Sequence, residues 1–184
     1  MNAPPACYTR TAIALHWLVA ALIFATVPLG VYMVGLSLSP IKLRLYSYHK
    51  WIGITVLALT VLRILWRATH TPPPLPAALP HWQRAGSHAV HVALYVLIVA
   101  VPVSGWLMSS AKGVPTVWFG VLPLPDLVAK DKSLGEILTG VHQGLNIVLL
   151  SLVAAHIAAA LKHRYIDRDD ILERMLPHRP GGRA

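Results

Sequence analysis

The chain has 184 residues, is 55% hydrophobic and carries 12% charged residues, about half the charged share of a soluble domain. An ordinary water-soluble globule is excluded, and the single cysteine, Cys7, excludes an internal disulfide or a thiolate metal cage. The formal charge of +9 does not point to nucleic acid, because the basic residues flank apolar segments instead of forming one soluble face.

About 20 apolar residues span a bilayer, and four stretches qualify, roughly 11–35, 46–68, 87–110 and 137–161. Their apolar positions are not confined to one stripe, as expected of helices whose backs face lipid. The ten-residue alternation of a membrane β-barrel is absent. The expected fold class is an all-α membrane protein, a four-transmembrane-helix up-down bundle forming one domain over 1–184.

The first segment follows Arg10 and lacks a small-x-small cleavage site before its Pro28–Gly30 interruption. It holds His16 and Trp17, which a disposable leader has no reason to carry, so it reads as the first membrane helix. Residues 36–45, with Pro40, Lys42 and Arg44, read as a short connection to the second segment, which holds His49, Lys50, Gly53 and Arg63. The connection 69–86 contains "TPPPLPAALP", a stiff extended spacer. The third segment holds His88 and His91. The longest connection, 111–136, has three prolines and the pair Trp118 and Phe119. The fourth segment holds His142 and His156, and a polar tail follows Lys162. Trp17, Trp51, Trp106 and Trp118 fall near the expected interfaces, where tryptophan anchors membrane helices.

Orientation follows from the basic residues near the helix ends. One side receives Arg10, Arg63, Arg67, Arg84, Lys162, Arg164, Arg168, Arg174, Arg179 and Arg183. The other receives Lys42, Arg44, Lys50, Lys112, Lys130 and Lys132. Ten against six favours both termini on the cytoplasmic side.

Helical rise places the histidines by depth. His142 lies six residues past Glu136 and His49 five past Arg44, so both sit about 8–9 Å inside the outer charges. His16 lies six past Arg10 and His156 six before Lys162, about 9 Å inside the inner charges. On the last helix, fourteen residues separate His142 from His156. They therefore share nearly one face, about 21 Å apart along the axis.

Histidine is the commonest metal ligand. Zinc sites cluster three or four ligands, and the membrane segments contain no acidic residue, which argues against zinc and against a carboxylate proton relay. Two imidazoles facing each other at one depth suit an axially ligated haem iron in a bundle core. With both axial positions filled, the task is electron transfer. Two levels then mean two haems stacked across the membrane. His49 and His142 are the candidates for the outer pair. The inner level holds His156 with either His16 or His91, since His91 lies seven past Arg84, and His88 lies one turn shallower on the same face. His70, His81, His163 and His178 fall in loops or at the interface and read as solvated.

"IALHWLVAALI", "YHKWIGITVLALTVLRILWR", "TPPPLP", "HAVHVALYVLIVAVPVSGW" and "VHQ…AAHIAAALKH", in that order along nearly the whole chain, resemble the bacterial di-haem cytochrome b561 family. The resemblance implies two haem b groups, one held by His16 and His156 and the other by His49 and His142. It leaves His88 and His91 as propionate or site residues. It further implies electron flow in the bacterial inner membrane from an outer donor to ubiquinone, with superoxide oxidase activity as the sharpest form. The alternative is a membrane-anchor subunit passing electrons from a soluble dehydrogenase or hydrogenase partner to quinone.

Two cations stand out beside these ligands. Arg63 follows His49 by fourteen positions, on nearly the same face and about 21 Å deeper. A propionate or quinone oxygen would justify burying its guanidinium. Lys50, beside His49, gives the outer face with Lys42, Arg44 and Lys112 a cationic character that steers an anionic one-electron donor. Gly53, one turn below His49, leaves space for a flat macrocycle.

Overall fold

A computed structural model describes residues 7–76 and 79–177. Four helices carry the chain: α1 (Arg10–Val34), α2 (Pro40–Thr69), α3 (His81–Ala111) and α4 (Lys132–Lys162). Each is long and apolar enough to cross a membrane.

Helices α2, α3 and α4 start five or six residues earlier than the apolar stretches alone indicate, and local chemistry explains each start. Ser39 caps α2 by accepting from the Lys42 amide, with Pro40 in the first helical position, where its missing N–H costs nothing. The Asp131 carboxylate accepts from the Leu134 amide at 2.9 Å and caps α4. The Pro80 carbonyl accepts from Gln83 and Arg84 and opens α3. Lys42 and Lys132 therefore stand in the first turns of α2 and α4, and Arg44 in the second turn of α2, not in loops.

The closest packing runs between α1 and α2 and between α3 and α4, with α2 against α3 joining the two pairs. The buried core is thin. Val19, Ile23, Val56, Leu94, Leu97, Ile98 and Leu149 form one cluster. Leu149 stands seven residues from both His142 and His156, so this layer crosses the bundle midway between the two histidine levels. The outer faces stay apolar and uncovered, with Val31 74% and Ile147 67% exposed, the pattern of helices solvated by lipid.

The connection between α3 and α4 is folded onto the end of the bundle. Strands β1 (Val117–Trp118) and β2 (Leu122–Pro123) pair antiparallel, and Phe119 and Gly120 take positive φ at the turn. Trp51 donates to the Val117 carbonyl at 2.6 Å, Trp118 to Thr55 Oγ1 at 3.2 Å and Trp106 to the Pro125 carbonyl at 3.0 Å. These indoles bind the connection down onto α2 and α3. At the opposite end, where the described chain starts and finishes, a π-helical turn (His163–Asp167) and a 3-10 turn (Glu173–Met175) follow α4. Trp17 donates to the Met175 carbonyl, and Arg174 to the Pro74 carbonyl, so the tail is laced under the bundle.

Candidate functional site

The helices deliver four histidines to two levels. At the end covered by the hairpin, His49 of α2 faces His142 of α4, with ring centroids 6.3 Å apart. At the termini end, His16 of α1 faces His156 of α4, again at 6.3 Å. His91 of α3 lies nearer, 5.3 Å from His156. Two metal–nitrogen bonds of about 2.0–2.1 Å, with the reach of about 1.1 Å from each ring centre to its nitrogen, give about 6.3 Å between centroids. The spacing of both facing pairs therefore admits one metal ion between opposed imidazoles, whereas the His91–His156 approach is too short.

The hairpin-side pair is oriented from behind. His49 Nδ1 lies 3.1 Å from the Thr26 carbonyl and 3.1 Å from Thr26 Oγ1. His142 Nδ1 lies 3.1 Å from the Val101 carbonyl and 3.0 Å from Ser104 Oγ. A carbonyl can only accept, so Nδ1 carries the proton in each ring and Nε2 keeps its lone pair for a ligand. Ser104, only 5% exposed, gives its own proton to the Val101 carbonyl at 2.7 Å, which leaves its oxygen to accept from His142.

Both rings also press close against a glycine through Cε1, a feature that sequence reading missed. A Cβ on Gly30 would stand 2.9 Å from His49 Cε1, and one on Gly105 would stand 3.1 Å from His142 Cε1. In each case the glycine lies four residues after the carbonyl that receives the imidazole proton: Thr26 and Gly30 on α1, Val101 and Gly105 on α3. One helical turn thus supplies both an acceptor and the clearance for the ring. The prolines beside these turns, Pro28 and Pro102, were the available signal, but only the Pro28–Gly30 stretch was noted, and as an interruption of the segment. Gly53 is half-buried, yet a Cβ there would meet nothing within 4 Å, so open space flanks His49.

The termini-side pair is held differently. His16 Nδ1 is buried without a hydrogen-bond partner among the described residues. His91 donates from Nδ1 to the Ser87 carbonyl at 2.7 Å, fixing its ring beside His156. Arg63 lies over the Tyr95 ring at 5.2 Å, and Arg67 lies over the same ring at 5.9 Å. Arg67, His88, His91 and Tyr95 share a pocket with Ile64, Val92 and Val96. Lys50 does not turn toward the imidazoles. Its ammonium donates to Ser109 Oγ and to the Val114 and Pro115 carbonyls, tying α2 to the covering connection. Among the remaining histidines, His70 stacks on Trp66 at 3.8 Å and His163 pairs with Asp169 at 2.7 Å. His81 opens α3 and is exposed, and His178 lies outside the described residues.

Fold and site together define a four-helix membrane protein with opposed imidazole pairs at two levels. The family model described as "Prokaryotic cytochrome b561" matches residues 7–178, and the chain belongs to that family. It is an electron-transfer family, and membership implies b-type haem. The chain is 37% identical to "Cytochrome b561 homolog 2" of Escherichia coli K12, over 94% of this chain and 92% of that one. It is 27% identical to "Cytochrome b561 homolog 1" of the same organism, over 94% and 98%. Identity to "Probable superoxide oxidase CybB" of Yersinia pestis is 29%, over 95% and 98%.

Proposed function

We propose that this chain carries electrons through the bacterial inner membrane by way of two b-type haems, from superoxide at the hairpin end to ubiquinone. His49 with His142, and His16 with His156, would each hold one haem. The observation that carries the reading is the repeated 6.3 Å spacing of the two opposed pairs, with the acceptors behind His49 and His142 leaving Nε2 free. A b-type haem held by such a pair would supply reversible one-electron exchange.

The chain's own residues do the rest. Thr26, Val101 and Ser104 set the hairpin-side tautomers, and the Leu149 layer keeps water out of the path between levels. Arg63 is a cation among apolar helices, placed to neutralise a propionate at the termini-side level. Lys50 hydrogen-bonds to neutral oxygens of α3 and of the covering connection, whose Asp126 also acts on its charge, so the pull on an anion comes from Lys50 together with Lys42, Arg44 and Lys112. Each superoxide gives up one electron and leaves as dioxygen. Ubiquinone takes two electrons and two protons, so two superoxides are consumed per quinol formed.

Purified protein should show a b-type reduced-minus-oxidised spectrum, two haems per chain, and ubiquinone reduction by superoxide without another subunit. One haem per chain overturns the ligand assignment. Two haems with no superoxide-driven quinone reduction, and a soluble redox subunit that restores it, overturns the choice of donor.

A further inference from the structure

The termini ends of α2 and α3 concentrate chemistry that the ligand pairs do not use. Arg67, His88, His91 and Tyr95 gather around a pocket of roughly 270 Å³ whose other walls are Ile64, Val92 and Val96. Val92, Val96 and Ile64 are 48%, 60% and 41% exposed, so the pocket opens sideways, toward the lipid-facing surface of the bundle and not only to water. Ionisable residues inside a membrane mark function unless they are otherwise paired, and α2 and α3 contain no acidic residue to pair with these. The volume lies just below the usual range for small-molecule pockets, about 300–1,000 Å³. That suits a single six-membered ring.

The geometry points to this pocket as the seat of the quinone headgroup, entered from the lipid between α2 and α3. The inference rests on quinone being the electron acceptor, as proposed above, and adds where it binds and what holds it. Apolar walls from Ile64, Val92 and Val96 fit a lipid-soluble ring. Arg67, which lies over Tyr95 at 5.9 Å, supplies positive charge where electron density accumulates on a ring oxygen. The Tyr95 hydroxyl is a donor at the same site. His91 forms the wall shared with the ligand pair, with its ring 5.3 Å from that of His156. Its Nδ1–H is committed to Ser87, so its Nε2 is an acceptor. His88, exposed and one turn nearer the helix start, stands between the pocket and water. The redox balance is one quinone, two electrons arriving singly from the His156 side, and two protons drawn from water past His88, giving one quinol.

The test uses the haem-loaded protein with a photoactivatable azidoquinone, and the variants Val92→Trp and Ile64→Trp, which place bulk in the pocket from its lipid side. In the wild type, label should fall on residues 64–67 and 88–96. In Val92→Trp, labelling should be lost and quinone reduction should fall about tenfold or more, with haem content and haem reduction by superoxide unchanged. Arg67→Gln should raise the KM for quinone more than it lowers kcat. Ile64→Trp serves the same purpose if Val92→Trp does not insert. Label elsewhere, or wild-type quinone reduction in both bulky variants, overturns the site while leaving the electron-transfer reading intact. Loss of a haem in these variants also overturns it, because the pocket then belongs to the haem's own seat. A wild-type protein with two haems that never reduces quinone removes the acceptor, and the site with it.

Discussion

At the scale of the residue, the site depends on the absence of two methyl groups. His49 is fixed by two contacts to Thr26, so it cannot swing away from a Cβ placed 2.9 Å from Cε1. Gly30→Ala should force the ring from its position, with an overpacking cost of about 1–3 kcal/mol. Gly105→Ala, with its closest approach at 3.1 Å, should do the same more mildly. The expected outcome is a haem-to-protein ratio near one in Gly30→Ala and an intermediate ratio in Gly105→Ala, read by pyridine haemochrome against protein. Gly86→Ala is the control. Nothing lies within 4 Å of its added methyl, and alanine favours the helix by up to about 1 kcal/mol, so haem content should not change. Full haem content in Gly30→Ala would show that the hairpin-side imidazole tolerates displacement.

At the scale of the element, α4 supplies one histidine to each level, while α1 and α2 supply the partners, and this division was largely legible in the sequence. A helix has a fixed rise, so counting residues from the flanking charges put the histidines at their levels, and fourteen residues on α4 put two on one face. The four spans were legible because apolar runs of that length have few other uses. The clearance beneath each imidazole was not legible. Gly30 acts on His49, and Gly105 acts on His142, across helices whose packing no local pattern encodes. The early helix starts were missed because caps at Ser39 and Asp131 carry helices beyond the apolar stretch. Counting residues also left His16 and His91 equivalent as partners of His156, and the spacings of 6.3 and 5.3 Å support His16 in the proposed assignment. His16→Ala should therefore lose one haem and keep the His49–His142 spectrum. His91→Ala should keep two haems, and if His91 borders the quinone pocket it should slow quinone reduction. A two-haem His16→Ala protein, or a one-haem His91→Ala protein, reverses the assignment.

At the scale of the whole molecule, four spans return the chain to the side from which it started, so one measurement of sidedness fixes both ends. The termini end carries Arg10, Arg63, Arg67, Arg84 and the basic tail, while the hairpin end carries Lys42, Arg44, Lys50, Lys112, Lys130 and Lys132. Lysine and arginine retained on the cytoplasmic side orient such bundles. Part of that tail is also structural. Arg174 donates to Pro74 and pairs with Asp170 at 2.9 Å, Arg164 pairs with Glu173, and Trp17 holds Met175. These contacts close the termini end beneath His16 and His156, much as the hairpin closes the other end over His49 and His142. A fluorescent protein fused at the C-terminus should therefore mature and fluoresce, and alkaline phosphatase at the same position should be inactive. Phosphatase inserted at Val121, an 83% exposed position in the hairpin turn, should be active. The opposite pattern would place the hairpin in the cytoplasm and move the superoxide-facing haem to the His16–His156 level. The Lys50 side would then have no external anion to attract.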